Sequence, residues 1–208
     1  LGESILKRGL EAKKFKVSFY NPRKFTPDKW ARVDRRPYGG GPGMVLEAPA
    51  LLKAAEKAVG KKGKKSAKGG SASGGKMKII FLSPGGKQFT NEDAKKLSKY
   101  SDVLLISGRY EGIDARVKKI LKAEEVSVGP YVLTGGELPA MAIMDATVRN
   151  IPGVLGNFDS VEENRVSSSE VYTRPEILEW KGKKYRVPKV LLSGHQANIE
   201  AWKNKTKG

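Results

Sequence analysis

The chain of 208 residues lacks cysteine and has a single histidine, His195. Without cysteine it can form no disulfide, no cysteine nucleophile and no thiolate site for zinc or iron–sulfur clusters. One histidine excludes a metal site with several histidine ligands, and it leaves only His195 for a serine–histidine–aspartate triad. The sequence also has no run of 18 apolar residues. We therefore predict neither a metal centre nor a transmembrane helix.

Acidic residues are outnumbered, because 22 Asp and Glu stand against 40 Lys and Arg, a net charge of +18. Residues 1–36 carry 11 basic and 4 acidic side chains, residues 61–78 carry 7 lysines and no acid, and residues 180–208 carry 8 basic and 1 acidic side chain. Residues 79–179, with 12 basic and 15 acidic side chains, form a mildly acidic body. Such a field attracts a polyanion, which favours nucleic acid as a partner over a merely solvated surface.

Residues 77–150 alternate short apolar runs with amphipathic segments. The runs predict strands at 77–83, 102–107, 124–128 and 131–134, and helical spacing predicts helices at 91–100, with Asn91 as N-cap, 113–121 and 137–150. Elsewhere the patterns predict helices at 3–12, 47–59 and from 195, strands at 15–20 and 183–194, and a flexible Lys/Gly/Ser tract at 60–76. Alternating strands and helices predict an α/β fold with a parallel sheet.

Three of the strand-to-helix junctions in this body contain glycines. They are LSPGGKQF (82–89), SGRYEG (107–112) and SVGPYVLTGGELP (127–139). In an open α/β sheet, ligands bind beyond the carboxyl ends of the strands, and glycine lets backbone groups approach a ligand closely. None of the junctions matches a phosphate-binding pattern such as GxxxxGK[ST] or GxGxxG. They therefore predict a ligand site held mainly by backbone atoms.

Six segments carry a resemblance to one family. They are RPYGGGPGM (36–44), LSPGGKQF (82–89), SGRYEGIDARV (107–117), VGPYVLTGGELPAMAIMDATVRNIPGVLGN (128–157), YTRPE (172–176) and VPKVLLSGH (187–195). In this order they resemble the bacterial tRNA (guanine-N1)-methyltransferases of the TrmD type, which methylate guanosine 37 beside the anticodon. The resemblance covers essentially the whole chain.

The resemblance implies a fold of the SPOUT superfamily, in which the parallel sheet contains a deep trefoil knot. It implies a knotted domain over residues 1–156 that lacks the family's first strand, with residues 60–76 as a flexible insertion. Residues 157–176 would be an interdomain linker, and residues 177–208 would begin a small, truncated helical domain that binds tRNA. It also implies a cytoplasmic homodimer whose active sites are shared between chains.

The resemblance further implies that S-adenosylmethionine binds in the knot, against the three glycine-containing junctions. The implied cofactor residues are, in the first junction, Leu82, Ser83 and Pro84; in the second, Gly108, Tyr110, Glu111 and Gly112; and in the third, Val128, Gly129, Pro130, Tyr131, Val132, Leu133, Gly135, Gly136 and Pro139. The chain departs from the family at Pro130, where an aspartate is usual.

The chemistry requires a base and a cation, because N1 of guanine must lose a proton before it attacks a methyl group and negative charge then develops on its O6–N1 edge. In the family the base is a linker aspartate and the cation is an arginine on the preceding helix. Arg149 matches the arginine, although a helix-terminal arginine that complements the macrodipole would look the same. An ungapped count puts Asn164 at the aspartate position, with Glu162 and Glu163 just before it, and we predict Glu163 as the base.

The sequence leaves two other functions open. One is a different SPOUT methyltransferase that acts on ribosomal RNA or on a ribose hydroxyl. The other is a non-catalytic RNA-binding relative, because an amide at Asn164 cannot act as a base.

Overall fold

A computed structural model describes residues 2–66, 76–155 and 170–205, with the backbone alone over 61–66. The chain divides into two compact units, Leu1–Val154 and Leu155–Gly208. No helix in these described ranges is long and apolar enough to cross a membrane.

The first unit contains helices on both sides of a small sheet. Its elements are α1 (Ser4–Glu11), a 3-10 turn (Pro22–Lys24), β1 (Asp34–Arg35), β2 (Val45–Leu46), α2 (Ala48–Ser66), β3 (Met77–Gln88), α3 (Asn91–Leu97), β4 (Asp102–Ile106), α4 (Ala115–Leu121), β5 (Glu124–Ser127) and α5 (Glu137–Val148).

The central sheet has the strand order β4–β3–β5, and both neighbours run parallel to β3. Met77 pairs with Asp102 at the start of β4, and Ile80 pairs with Glu124 at the start of β5. The predicted α/β class with a parallel sheet is therefore confirmed. Because all three strands point the same way, the junctions that follow them lie at one edge of the sheet.

Both faces of β3 are buried, since successive side chains of a strand point to opposite faces. Phe81 packs with Leu51 of α2 and Val117 of α4 on one face. Ile80 and Leu82 occupy the other face, where they pack with Leu97, Val126 and Ile143. A three-layer arrangement of helix, sheet and helix therefore encloses the core.

The N-cap of helix α3 lies one residue before the predicted one. Thr90, and not Asn91, is the N-cap, because its hydroxyl accepts a hydrogen bond from the Asp93 backbone while the Asp93 carboxylate accepts one from the Thr90 backbone. Lys87 donates to Asp93 at 3.0 Å and lowers the pKa of that carboxyl. This reciprocal capping box fixes the chain where β3 gives way to α3.

Several sequence-based elements are absent or different. Residues 15–20 and 131–134 are not strands. The backbone is helical over 61–66, beyond a break at Gly60, so this part of the tract predicted to be flexible is helix; residues 67–75 lie outside the described ranges. Residues 15–20 alternate apolar and polar side chains but have no partner strand. Because a strand needs a ladder of hydrogen bonds to a neighbour, the strand predicted there does not form.

The second unit is described from residue 170. An antiparallel hairpin of β6 (Ile177–Trp180) and β7 (Lys183–Arg186) is followed by α6 (Lys189–Leu192) and α7 (Gln196–Lys205). The predicted strand at 183–194 is thus half strand and half helix, and β6 was not predicted. The predicted helix after His195 is confirmed, and the rings of Tyr172 and Trp202 lie 6.3 Å apart between centroids.

Candidate active site

The three glycine-containing junctions form the walls of a single cleft of about 340 Å³ at the carboxyl end of the sheet. All of the predicted cofactor residues except Gly129 and Pro130 line this cleft. The lining residues among them are Leu82, Ser83, Pro84, Gly108, Tyr110, Glu111, Gly112, Val128, Tyr131, Val132, Leu133, Gly135, Gly136 and Pro139. The volume is in the range of pockets that hold small organic ligands.

The first wall is a wide bulge within β3. Leu82 and Lys87 both pair with Val126 of β5, so residues 83–86 leave the ladder and return to it. A Cβ on Gly86 would come within 2.5 Å of the Val126 backbone nitrogen, so glycine is needed where the chain returns. The bulge carries Ser83 and Pro84 into the cleft.

Glu125 connects this wall to helix α4. Its carboxylate accepts hydrogen bonds from Lys118 and from Ser83, and these two bonds, the Lys118 bond first, hold the pKa of Glu125 below its usual range. The Lys118 ammonium also lies 6.0 Å from the centre of the Phe81 ring. Ser83 is therefore held by a carboxylate that is ionised near neutral pH.

The second and third walls are joined by backbone hydrogen bonds. The Gly136 amide donates to the Gly108 carbonyl at 2.8 Å, and the Ser107 hydroxyl donates to the Gly136 carbonyl at 3.0 Å. Across the same junction Arg109 donates to Glu137 at 2.8 Å. The start of α5 is consequently seated on the loop that follows β4.

The close approach of these two walls depends on Gly136. A Cβ there would lie 2.6 Å from the Ser107 Cα and 2.8 Å from the Gly108 nitrogen, and neither backbone atom can move aside cheaply. A Cβ on Gly108 or Gly135 would first meet side chains, those of Ile113 and Glu137. Gly136 is therefore required for wall-to-wall packing, whereas Gly108 and Gly135 face groups that can shift.

The YGGGPGM loop (38–44) is attached to the second wall. The Glu111 amide donates to the Met44 carbonyl at 3.0 Å, and the Leu46 amide donates to the Gly112 carbonyl at 3.0 Å. A Cβ on Gly43 would meet the Glu111 side chain at 2.5 Å. The most glycine-rich segment of the first unit thus lies beside Glu111 at the cleft.

Two predicted cofactor residues do not line the cleft. Gly129 is buried beneath the Tyr131 ring, and hydrogen bonds between Ser127 and Gly129 turn the chain so that Pro130 is exposed. Sequence reasoning in turn missed several lining residues: Phe81, Arg109, Ile113, Val126, Ser127 and Thr134. Each lies within two positions of a predicted residue, so continuity along the chain was the signal that could have found them.

Of the two predicted catalytic residues, Arg149 is not among the residues that line this cleft. Arg149 is the half-buried C-cap of α5, and it follows Pro139, in the first turn, by ten residues. A helix rises about 1.5 Å per residue, so Arg149 lies about 15 Å along the axis from the cleft wall at Pro139. Glu163, with Glu162 and Asn164, lies outside the described residues. Within the described ranges no cluster of three or more His, Asp or Glu could hold a metal ion.

Comparison with known proteins decides the family. A profile described as tRNA (Guanine-1)-methyltransferase TrmD matches residues 1–208. The chain is 45% identical over 207 residues to a tRNA (guanine-N(1)-)-methyltransferase of Pseudoalteromonas atlantica, with 98% of this chain and 72% of that protein covered. The chain belongs to the tRNA (guanine-N1)-methyltransferase family.

Other members of the tRNA (guanine-N1)-methyltransferase family give similar figures. The enzyme of Photobacterium profundum is 44% identical, with 98% of this chain and 76% of that protein covered. The enzyme of Campylobacter jejuni subsp. doylei is 40% identical, with 97% and 82% covered. Membership in a methyltransferase family implies a methyl donor, and the resemblance of the six sequence segments is confirmed.

Proposed function

We propose that this protein transfers a methyl group from S-adenosylmethionine to N1 of guanosine 37 in tRNA. The observation that carries the proposal is the convergence of the three glycine-containing junctions on one cleft, with the YGGGPGM loop attached beside it. A chain whose relatives bear the name tRNA (guanine-N(1)-)-methyltransferase has here a ligand-sized site built from the segments of the resemblance.

The cleft suits the chemistry of S-adenosylmethionine. Apolar side chains such as Leu82, Val128 and Leu133 can cover a purine, and exposed backbone groups at the junctions can hydrogen-bond its edge. Glu111 contributes negative charge near a cationic ligand. When bound, S-adenosylmethionine would supply an electrophilic methyl group attached to a sulfonium. The sulfur would leave as a neutral thioether with the electron pair of the carbon–sulfur bond.

The protein's own contribution is alignment, a base and a cation. We propose that Glu163 removes the proton from guanine N1 and that the Arg149 guanidinium stabilises the negative charge that develops on the O6–N1 edge. Asn164 occupies the position that the resemblance assigns to the base, and an amide cannot accept that proton.

We also propose that the enzyme is a homodimer in which one chain completes the site of the other. The distance of about 15 Å along α5 between Pro139 and Arg149 supports this, because the arginine does not line the cleft of its own chain. In a dimer, Arg149 of one protomer can reach the cleft of the other protomer.

The finer architecture remains part of the proposal. We propose a knotted path for residues 1–156, as the resemblance implies; the backbone hydrogen bond from the Gly136 amide to the Gly108 carbonyl, which joins two of the loops, is compatible with such a path. We propose that residues 157–176 link this domain to a tRNA-binding part that begins at 177, and that the enzyme acts in the cytoplasm. The net charge of +18 supports binding to a polyanion.

The test is incubation with labelled S-adenosylmethionine and unmodified tRNA, followed by mapping of the methylated nucleoside. We expect 1-methylguanosine at position 37. Label in ribosomal RNA or on a ribose hydroxyl would identify a different methyltransferase, and tight tRNA binding without label would identify the RNA-binding relative that Asn164 suggests.

Three variants test the base and the cation. Glu163→Gln should lower kcat by about 10²–10⁴ with the affinity for S-adenosylmethionine nearly unchanged, because only proton removal is lost. Arg149→Ala should cost a comparable factor. If Asn164→Asp strongly raises activity while Glu163→Gln has no effect, the ungapped register is right and the base assignment is wrong.

A further inference from the structure

The β6–β7 hairpin presents an unusual face. In an antiparallel pair, directly opposite residues point to the same side, and here Leu178 opposes Tyr185 while Trp180 opposes Lys183. These four side chains share one face of the two-stranded sheet. The opposite face carries Glu179 and Lys184, which form an ion pair at 2.9 Å.

The apolar members of this face are open to solvent. Leu178 is 53% exposed, Trp180 is 62% exposed and Tyr185 is 53% exposed. Large aromatic side chains normally bury most of their surface, so three exposed neighbours on one face indicate a contact surface and not core packing.

The turn holds this face in a defined shape. Its two central residues, Lys181 and Gly182, have φ angles of 49° and 73°. Positive φ at both positions is the requirement of a two-residue type I′ turn, whose twist matches that of the flanking strands. The turn therefore sets the twist of the two strands that carry the Trp180 and Tyr185 rings.

The charge around the face identifies the chemistry of its partner. Residues 177–189 contain five basic residues and one acidic residue. Lysine is depleted from protein–protein interfaces, whereas lysines interleaved with aromatic rings are typical of surfaces that bind single-stranded nucleic acid. Phosphates attract the lysines, and unpaired bases stack on the rings.

We propose that the face formed by Leu178, Trp180, Lys183 and Tyr185 is a stacking platform for unpaired RNA bases. The proposal rests on the proposed function, since a tRNA loop is the substrate that would bring such bases. It adds the residues that select unpaired over paired RNA.

The test compares two RNA probes that have the same number of phosphates, a single-stranded oligoadenylate and a fully paired RNA duplex. Trp180→Ala and Tyr185→Ala should each weaken oligoadenylate binding by roughly 5- to 150-fold, the worth of one stacked base. Both variants should leave duplex binding nearly unchanged, because paired bases are not available to stack.

Matched variants separate stacking from other effects. Trp180→Phe should retain most of the oligoadenylate affinity, because it keeps a ring. Leu192→Ala removes another exposed apolar side chain of the same unit, 48% exposed, and should have no effect on either probe. Lys183→Gln should weaken both probes and reduce the salt dependence by one phosphate contact.

Three results would overturn the platform: unchanged oligoadenylate binding in Trp180→Ala and Tyr185→Ala, equal losses for both probes, or a change in oligomeric state by sedimentation without a change in RNA affinity. The last would identify a protein interface. Methyl transfer to tRNA by the unaltered chain tests the proposed function separately. If the enzyme is active and its Trp180→Ala variant keeps its KM for tRNA, the platform alone is refuted. If the chain is inactive but needs Trp180 to bind oligoadenylate, only the proposed function is refuted.

Discussion

Three glycines of the YGGGPGM loop and Gly136 of the cleft walls meet opposite constraints. Gly39, Gly40 and Gly41 have φ angles of 87°, 81° and 102°, and a Cβ on any of them would meet nothing within 4 Å. Gly136 has an ordinary φ of −78°, but a Cβ there would lie 2.6 Å from the Ser107 Cα. The first set is needed for backbone conformation and the second for space.

This difference gives the two regions different rules for substitution. At an open position with positive φ, the best replacement is a residue that tolerates the left-handed region, and its size matters little. At a crowded position with negative φ, the best replacement is the smallest one, and its conformational preference matters little. Asparagine and alanine should therefore rank in opposite orders at the two places.

The largest effect is expected at Gly136. Gly136→Ala should lower the free energy of unfolding by about 1–3 kcal/mol, because the loop after β4 and the start of α5 must separate to admit the methyl group. Calorimetry should show S-adenosylmethionine binding weakened at least tenfold, and Gly136→Asn should be worse than alanine.

Gly85→Ala is the control for Gly136, since its Cβ would meet only the Ser83 hydroxyl oxygen at 3.9 Å. Gly108→Ala should fall between the two, because its nearest neighbour is the Ile113 side chain at 3.3 Å. Equal effects at Gly85 and Gly136 would contradict the packing role assigned to Gly136.

A moderate effect is expected at Gly40. Gly40→Ala should lower the free energy of unfolding by about 1 kcal/mol, because it forces a side chain into the left-handed region. Gly40→Asn should cost less than alanine, since asparagine visits that region more readily. Urea denaturation checks the ranking, and unchanged S-adenosylmethionine affinity in both variants would separate this loop from the cleft walls.

The smallest effect concerns Glu125, which holds Ser83 of the first wall. Because the pKa of Glu125 is lower in the folded protein than in the unfolded chain, its contribution to stability is present above the unfolded pKa and is lost as pH falls through the folded pKa. Glu125→Gln should remove this part of the acid sensitivity, worth less than about 1 kcal/mol for a partly exposed ion pair. Denaturation between about pH 3 and 6 measures it, and Glu11→Gln, at an exposed site on α1, should leave the profile unchanged.

The strands of the sheet and most of the cleft could be predicted from the sequence, because buried strands appear as apolar runs and the cleft walls as glycine-containing junctions. Strands β3 and β4 are continuous apolar runs, as expected for a sheet covered on both sides. Residues 131–134 are equally apolar, yet Val132 is 82% exposed and lines the cleft. Composition alone does not distinguish apolar residues that face a core from those that face a ligand.

Other features required coordinates because they depend on distant parts of the chain. The bulge in β3 exists only in relation to Val126, and no property of residues 83–86 alone marks where the ladder resumes. Likewise, the place of Arg109 at the cleft depends on its partner Glu137, which is 28 residues away in the chain. The exposed face of the hairpin depends on the pairing of Trp180 with Lys183, which residue spacing did not suggest.

The double pairing of Val126 has a consequence for how this scaffold can change. Leu82 and Lys87 occupy the same rung of the sheet, so the residues between them can be shortened or lengthened without shifting any other rung. Insertions and deletions there would reshape the pocket while the strand order, the core and the helices stay in place. The fold thus contains a point at which ligand choice can be redesigned independently of the architecture that supports it.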